Sequence, residues 1–446
     1  MRWMTLSFSF YKRVPVVLTV PLHANANGQH FEFLVLFLLG QPRGQLLVRV
    51  RQTANEAKSP GPLNGSRAFC VYATNPYTMK TDILNQPATA APERGPDLVT
   101  PIPSPADLKT EIPRSASAVS TIDRSRQTIR DILKGKDVHR LVVICGPCSI
   151  HDANAAYDYA QRLAKLAREV EDEMLVVMRT YFEKPRSVVG WKGLLYDPEL
   201  EGSAAAAGGL GVARRILANI TSLGLPCATE FLSPVLAAYQ EDFISYGSIG
   251  ARTVESQIHR ELAAGLEMPV GMKNNLAGDI GSSINAVRAA NRPHSVFLND
   301  EYGRSCIAHV KGNPFAHLFL RGGHSGPNLD TASIRKASRD LNSRELRRPV
   351  MVDCSHANSG KDFRRQGSNA CRVVDQFLAG NPETAGLMLE SNLEAGRQNF
   401  QAGRSHAFGQ SITDGCIGWS ETESLIREIA LKLKRQSTQK KRLPSL

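Results

Sequence analysis

The chain has 446 residues, 54 Lys and Arg against 42 Asp and Glu, a formal charge of +12, 42% hydrophobic residues and eight cysteines. These figures exclude wholesale disorder and collagen-like repeats, and eight cysteines are too sparse for a disulfide scaffold. The longest uninterrupted apolar run, Phe33 to Leu39, falls far short of the roughly 18 residues a membrane span needs, so no membrane role is expected.

Residues 1–78 hold eight basic and two acidic residues and show no steady helical or strand period. They read as a poorly structured basic extension, and an upstream reading frame with Met79 as the start accounts for them better than a targeting peptide does. Residues 79–120 are rich in Pro, Ala, Ser and Thr, which predicts an extended arm. Thr121–Leu133 carries Ile122, Ile129 and Ile132 at near-helical spacing, so 79–138 is expected to be an arm and helix serving oligomerisation or regulation. At the other end, 432–446 is a basic tail with six Lys and Arg and no acid. The intervening 79–431 carry 40 residues of each sign, so the excess positive charge belongs to the termini and no nucleic-acid partner is expected.

Over 139–431 short apolar runs alternate with helical segments. The predicted strands are Leu141–Cys145, Met174–Arg179, Cys227–Phe231, Ser248–Arg252, Val270–Lys273, Leu318–Arg321, Val350–Asp353 and Gly386–Glu390. Helices are predicted over Asn154–Glu171, Gly208–Leu223, Val235–Tyr246, Ser256–Leu266, Ile280–Ala290, Asp330–Arg344, Asn369–Ala379 and Glu421–Arg435. Eight βα units predict an α/β fold, a TIM (β/α)8 barrel. An extra β-hairpin is expected between units five and six, around Ser295–Leu298 and Ile307–Val310.

In such a barrel the active site lies where the strands finish. Cys148, Arg179, Glu230, Arg252, Lys273, Arg321, Asp353, His356 and Glu390 all fall at predicted strand ends, and Asp414 lies in the loop beyond the eighth. Nearly every strand ends in a charge, more than isolated salt bridges explain. Arg179, Arg252, Lys273 and Arg321, with Lys184 and Arg186 after strand two, suit two anionic substrates, because guanidinium forks grip phosphate and carboxylate oxygens. Cys148, His356, Glu390 and Asp414 make a mixed sulfur, nitrogen and oxygen set suited to one divalent ion such as Mn2+, Fe2+, Co2+ or Zn2+. Cys145 and Cys148 also have the spacing of a thiol–disulfide oxidoreductase, but that alternative leaves the cationic strand ends unexplained. The other cysteines (Cys70, Cys227, Cys306, Cys354, Cys371 and Cys416) show no ligand spacing and read as reduced, cytoplasmic thiols.

Five segments carry a family resemblance. They are Gly146-Pro147-Cys148-Ser149-Ile150-His151-Asp152, MRTYFEKPRSVVGWKG (178–193), SIGARTVESQIHRELAAGL (248–266), DCSHANSGKDF (353–363) and SITDGCIGW (411–419). In this order they resemble the motifs of the type I 3-deoxy-D-arabino-heptulosonate 7-phosphate (DAHP) synthases, over roughly residues 120–435. The resemblance implies condensation of phosphoenolpyruvate with D-erythrose 4-phosphate, the entry step of aromatic biosynthesis. It implies Cys148, His356, Glu390 and Asp414 as metal ligands. Phosphoenolpyruvate would be held by Arg179, Lys184, Glu230, Gly250, Ala251, Arg252, Lys273 and Arg321. The erythrose 4-phosphate end would fall to Arg186 and Ser187, with Asp353 nearby. Catalytic roles are expected for Lys184 as a proton shuttle, Glu230 in orienting water, and His356 and Asp414 through the metal.

The alternative within the same chemistry is condensation with arabinose 5-phosphate to give 3-deoxy-D-manno-octulosonate 8-phosphate. Lys184-Pro185-Arg186-Ser187 favours erythrose 4-phosphate, since that sister family typically has Lys-Ala-Asn-Arg-Ser-Ser. The chain departs from the family pattern at Leu236-Ala237-Ala238, Glu267 and Asn275-Leu276-Ala277, none of them among the expected ligands. A cytoplasmic homo-oligomer, a dimer or tetramer, is the implied assembly.

Overall fold

The computed structural model describes residues 101–202, 206–380 and 383–442, together with four strands nearer the start of the chain. Those strands are β1 (Val16–Leu22), β2 (His30–Phe37), β3 (Leu46–Thr53) and β4 (Phe69–Cys70). They form an antiparallel sheet in the order β1-β2-β3-β4, where the sequence predicts no regular structure. Val, Leu, Phe and Thr dominate β1 and β2, and such residues fit a pleated surface whether or not they alternate. This sheet lies in a unit spanning Met1–Val99, distinct from the unit Thr100–Leu446.

The second unit begins with α1 (Pro105–Glu111) inside the segment expected to be extended. Its sequence signal is Ser104-Pro105-Ala106-Asp107. The Ser104 hydroxyl accepts from the Asp107 amide, and the Asp107 carboxylate accepts from the Ser104 amide at 3.0 Å, a reciprocal cap with proline in the first turn. Helix α2 (Ala116–Leu133) then begins five residues earlier than its apolar spacing indicates, with Ser115 as its cap.

Eight parallel strands close into the expected barrel. They are β5 (Leu141–Gly146), β6 (Met174–Arg179), β7 (Cys227–Glu230), β8 (Ile244–Ile249), β9 (Val270–Lys273), β12 (Ala316–Leu320), β13 (Val350–Asp353) and β14 (Thr384–Glu390), and β14 pairs with β5. Side chains alternate across the strands. Leu141, Val143 and Cys145 pack outward in one cluster, while Val142 and Ile144 point into a second cluster inside the barrel. Ile129, Ile132 and Leu133 of α2 join that inner cluster with Val177, Tyr246, Phe319 and Met351, so α2 plugs the barrel floor. Each such burial stabilises by roughly 1.5–3 kcal/mol, as an upper bound.

The outer helices are α3 (Ala153–Glu169), α4 (Ala206–Ser222), α5 (Pro234–Ala237), α6 (Gln257–Gly265), α7 (Gly281–Ala290), α8 (Thr331–Asn342), α9 (Gln366–Leu378) and α10 (Trp419–Arg442). Two expectations need correction. The fourth strand runs over Ile244–Ile249 instead of Ser248–Arg252, and the predicted helix Val235–Tyr246 shrinks to the single turn α5. Both follow from one fact: Ile244, Ser245 and Tyr246 are buried between β7 and β9, and burial there outweighs the helical spacing of their neighbours. Arg252 therefore sits in the turn past β8. The hairpin of β10 (His294–Asn299) and β11 (Ser305–Val310) pairs antiparallel between units five and six as expected. The basic segment 432–446 begins inside α10, which continues to Arg442.

Candidate active site

The barrel mouth brings the strand-end residues together. Arg179, Lys184, Arg186, Ser187, Glu230, Ala251, Arg252, Lys273, Arg321, His356 and Asp414 line one cavity of about 630 Å3. Cys148 and Glu390 lie at its base, joined to Lys184 and Arg179, and Asp353 is buried beside His356. Gly250 is the remaining expected site residue. A Cβ there would stand 2.2 Å from Glu230 Oε1, so only glycine lets the carboxylate lie against the turn.

Arg179 is buried at the end of β6, and its Nε and Nη2 are engaged by oxygen acceptors while Nη1 lies against the Met388 sulfur. It donates to Glu390 Oε1 at 3.1 Å, to the Cys148 carbonyl at 3.2 Å and to the Pro147 carbonyl at 3.2 Å, and it stacks 3.8 Å over the Tyr181 ring. Burial opposes the Glu390 charge, but His356, Arg179 and Lys184 together hold its carboxyl below the usual range. Lys273 donates to Glu230 Oε2 at 2.5 Å. Burial likewise opposes the Glu230 charge, and the Lys273 ammonium outweighs it, so the carboxyl stays ionised. Arg252 Nε donates to the Ser187 hydroxyl at 3.1 Å, tying the loop after β6 to the turn after β8.

Lys184 bridges the two predicted sets of residues. Its Nζ lies 2.7 Å from Cys148 Sγ and 3.1 Å from Asp414 Oδ2. Burial works against its charge, yet Cys148, Asp414 and Glu390 raise its pKa. The Lys184 charge in turn holds Asp414 far below the ordinary carboxylate range. Burial and the Glu390 charge push the Cys148 thiol up to about 12.

The donor chemistry here fits a divalent ion. One ligand atom each from Cys148, Glu390 and Asp414 all fall within 4.8 Å of one another. His356 presents Nε2 3.6 Å from Glu390 Oε1, while its Nδ1 lies 2.7 Å from Asp353 Oδ2 without the alignment of a hydrogen bond. Asp353 thus occupies Nδ1 and leaves Nε2 toward Glu390, and His356 adopts a left-handed φ of 48°. A histidine on strained backbone, with a carboxylate against one ring nitrogen and the other facing Glu390, is a group held ready for a ligand. A bound cation would reverse the pressure on the Cys148 thiol and favour its thiolate.

Some residues at the mouth escaped the sequence reading. Glu183 sits beside Lys184 and is buried, accepting from the Tyr196 hydroxyl at 3.1 Å and facing the amides of Leu232 and Ser233 at 3.4 Å. Burial pushes its carboxyl up to about 7. Ser355 donates to Glu390 Oε2 at 2.8 Å, and Asn274 accepts from the Arg321 amide at 2.8 Å, fixing the ends of β14 and β12. His324 and Lys361 also line the cavity. Lys361 stands inside a recognised motif, five residues past His356, and that proximity was the available signal.

Comparison with known proteins points to one family. The model of the DAHP synthetase I family matches residues 111–427. The chain is 47% identical over 313 residues to the Tyr-sensitive phospho-2-dehydro-3-deoxyheptonate aldolase of Escherichia coli (strain K12), covering 70% of this chain and 87% of that one. It is 46% identical over 308 residues to the Phe-sensitive enzyme of the same organism, covering 69% and 87%. The solved structure of the Francisella tularensis SCHU S4 phospho-2-dehydro-3-deoxyheptonate aldolase superposes with a TM-score of 0.75 at 38% identity, covering 77% of this chain and 99% of the other.

Proposed function

The chain belongs to the DAHP synthetase I family, and from that premise we propose how its barrel mouth condenses phosphoenolpyruvate with D-erythrose 4-phosphate and water to give 3-deoxy-D-arabino-heptulosonate 7-phosphate and inorganic phosphate. The observation carrying this reading is Lys184, whose one ammonium joins the cationic wall to the Cys148–Asp414 pair.

Phosphoenolpyruvate is held by Arg252, Lys273 and Arg321 with the Gly250 and Ala251 backbone, and Arg186 and Ser187 receive the phosphate of erythrose 4-phosphate. Arg179 has its guanidinium committed to Glu390 and two carbonyls, so it acts largely by positioning Glu390 and the loop carrying Cys148. Cys148, His356, Glu390 and Asp414 would hold one divalent ion, Mn2+, Fe2+, Co2+ or Zn2+, which supplies electrophilic polarisation of the aldehyde or lowers the pKa of the attacking water. The methylene carbon of phosphoenolpyruvate bonds to the aldehyde carbon, and Lys184 delivers a proton to the aldehyde oxygen. Glu230, kept ionised by Lys273, orients the water that adds to the enol-ether carbon. The C–O bond of the phosphate ester then breaks and phosphate leaves with the bonding pair. Asp353 keeps His356 directed at the site.

Two settings complete the reading. A cytoplasmic location is supported by seven free cysteines among the described residues, and no described helix is long and apolar enough to cross a membrane. A homo-oligomer is supported by the β10–β11 hairpin, whose Phe297 and Ile307 are 84% and 57% exposed.

The test is metal removal and return. Exhaustive chelation abolishes phosphate release, Mn2+ or Fe2+ restores it, and Cys148→Ala binds the ion far more weakly in equilibrium dialysis. Full turnover in excess chelator would contradict the ligand assignment.

A further inference from the structure

A second cavity, of about 360 Å3, adjoins the metal-ligand set. It is lined by Ser355, His356, Lys361, Glu390, Arg397, Asp414 and Gly415, and it shares His356, Lys361 and Asp414 with the main cavity. Its two acids are already matched: Glu390 by Arg179 at 3.1 Å and Asp414 by Lys184 at 3.1 Å. Its two cations are not. Among the described residues neither Lys361 Nζ nor the Arg397 guanidinium takes part in a side-chain hydrogen bond or ion pair. Two unspent cations facing one cavity make the rim a site of positive potential.

Both side chains stand on fixed backbone. Lys361 holds a left-handed φ of 63°, costly for a residue with a Cβ, and its amide donates to the His356 carbonyl at 2.7 Å. Arg397 follows Gly396, which exchanges two backbone hydrogen bonds with Cys416 at 2.8 and 3.1 Å, and Gln398 donates to Ser411 at 2.8 Å. A strained backbone that places an exposed lysine on the rim of a cavity whose two carboxylates are already paired has no packing purpose visible here.

We propose that Lys361 and Arg397 form a second phosphoryl-binding subsite, beside His356 and Asp414 and adjoining the cavity of Arg252, Lys273 and Arg321. This rests on the proposed condensation, which frees one phosphate dianion per turnover inside the mouth. A lysine ammonium and a guanidinium fork together match such a dianion. Released inorganic phosphate is the occupant, received here as it leaves the main cavity; the other source of the same chemistry is the phosphate end of the aldose.

Equilibrium dialysis of the full-length, metal-loaded protein against labelled inorganic phosphate, with phosphoenolpyruvate saturating, tests the subsite directly. One phosphate per chain is expected to bind beside phosphoenolpyruvate. Lys361→Met and Arg397→Ala are each expected to weaken it tenfold or more, while Arg397→Lys recovers most of the loss. Unaltered phosphoenolpyruvate binding and circular dichroism verify that the variants are folded. Kinetics separate the sources: weaker inhibition by inorganic phosphate assigns the subsite to the product, whereas a raised KM for erythrose 4-phosphate assigns it to the aldose end. No phosphate bound beside phosphoenolpyruvate, or unchanged binding in both variants, overturns the subsite. If instead the wild type binds phosphate this way but releases none from phosphoenolpyruvate and erythrose 4-phosphate, the subsite stands and the proposed reaction falls.

Discussion

Arg179→Met tests the electrostatic logic of the mouth most sharply. Arg179 and Glu390 are each 1% exposed and paired at 3.1 Å, so removing the guanidinium takes from a buried carboxylate its nearest cation and leaves it the Ser355 hydroxyl at 2.8 Å and His356 at 3.6 Å. Two backbone carbonyls, of Pro147 and Cys148, lose their donors at the same time. Breaking a buried pair from one side costs about 3–5 kcal/mol. At roughly 2–4 °C per kcal/mol for large domains, melting should fall by about 10 °C. The cost arises from the stranded charge, so Arg179→Met/Glu390→Gln should be more stable than Arg179→Met alone. Urea unfolding of the four proteins in a double-mutant cycle, with metal chelated, measures this. A loss below about 1 kcal/mol for Arg179→Met would refute the reasoning. So would a double variant whose loss equals the sum of the two single ones.

Three further outcomes follow from particular contacts. Gly250→Ala places a methyl group 2.2 Å from Glu230 Oε1, so the carboxylate must leave Lys273; steady-state kinetics should show kcat/KM for phosphoenolpyruvate falling by about 100-fold. Glu183 has its pKa raised to about 7, so the folded protein keeps a proton that the unfolded chain releases. Its contribution to stability is present below the unfolded value near 4.5 and declines as pH rises to about 7, by about 3 kcal/mol in all, and Glu183→Gln should remove that decline from urea midpoints measured across this window. Ile129→Ala opens the barrel floor where α2 meets the inner cluster, and calorimetry should record a loss of about 2–5 kcal/mol.

Much of this architecture was legible in the amino-acid order, and the failures have definite causes. Barrel strands such as Val270–Lys273 and Val350–Asp353 are short apolar runs ending in a charge, and they were found to the residue. The strand at Ile244–Ile249 was placed late because Gly247 and Ser248 interrupt its apolar pattern, while the preceding Val235–Tyr246 has helical spacing that burial overrides. Helix α1 was missed because proline reads as a loop signal, although Ser104 with Asp107 is a reciprocal cap.

At the site, residue identity told more than pairing. Nothing in the spacing of Arg179 and Glu390, or of Lys184 and Asp414, shows that they meet, because those contacts are made by barrel closure. Glu183 and Arg397 were passed over for the same reason, since an acid or base in a loop acquires meaning only from what surrounds it.

The account stands most directly on one assay: phosphate released by the metal-loaded protein from phosphoenolpyruvate with either erythrose 4-phosphate or arabinose 5-phosphate. Rapid release with erythrose 4-phosphate and little with arabinose 5-phosphate is the predicted result. The reverse preference, or no release with either sugar, would contradict it.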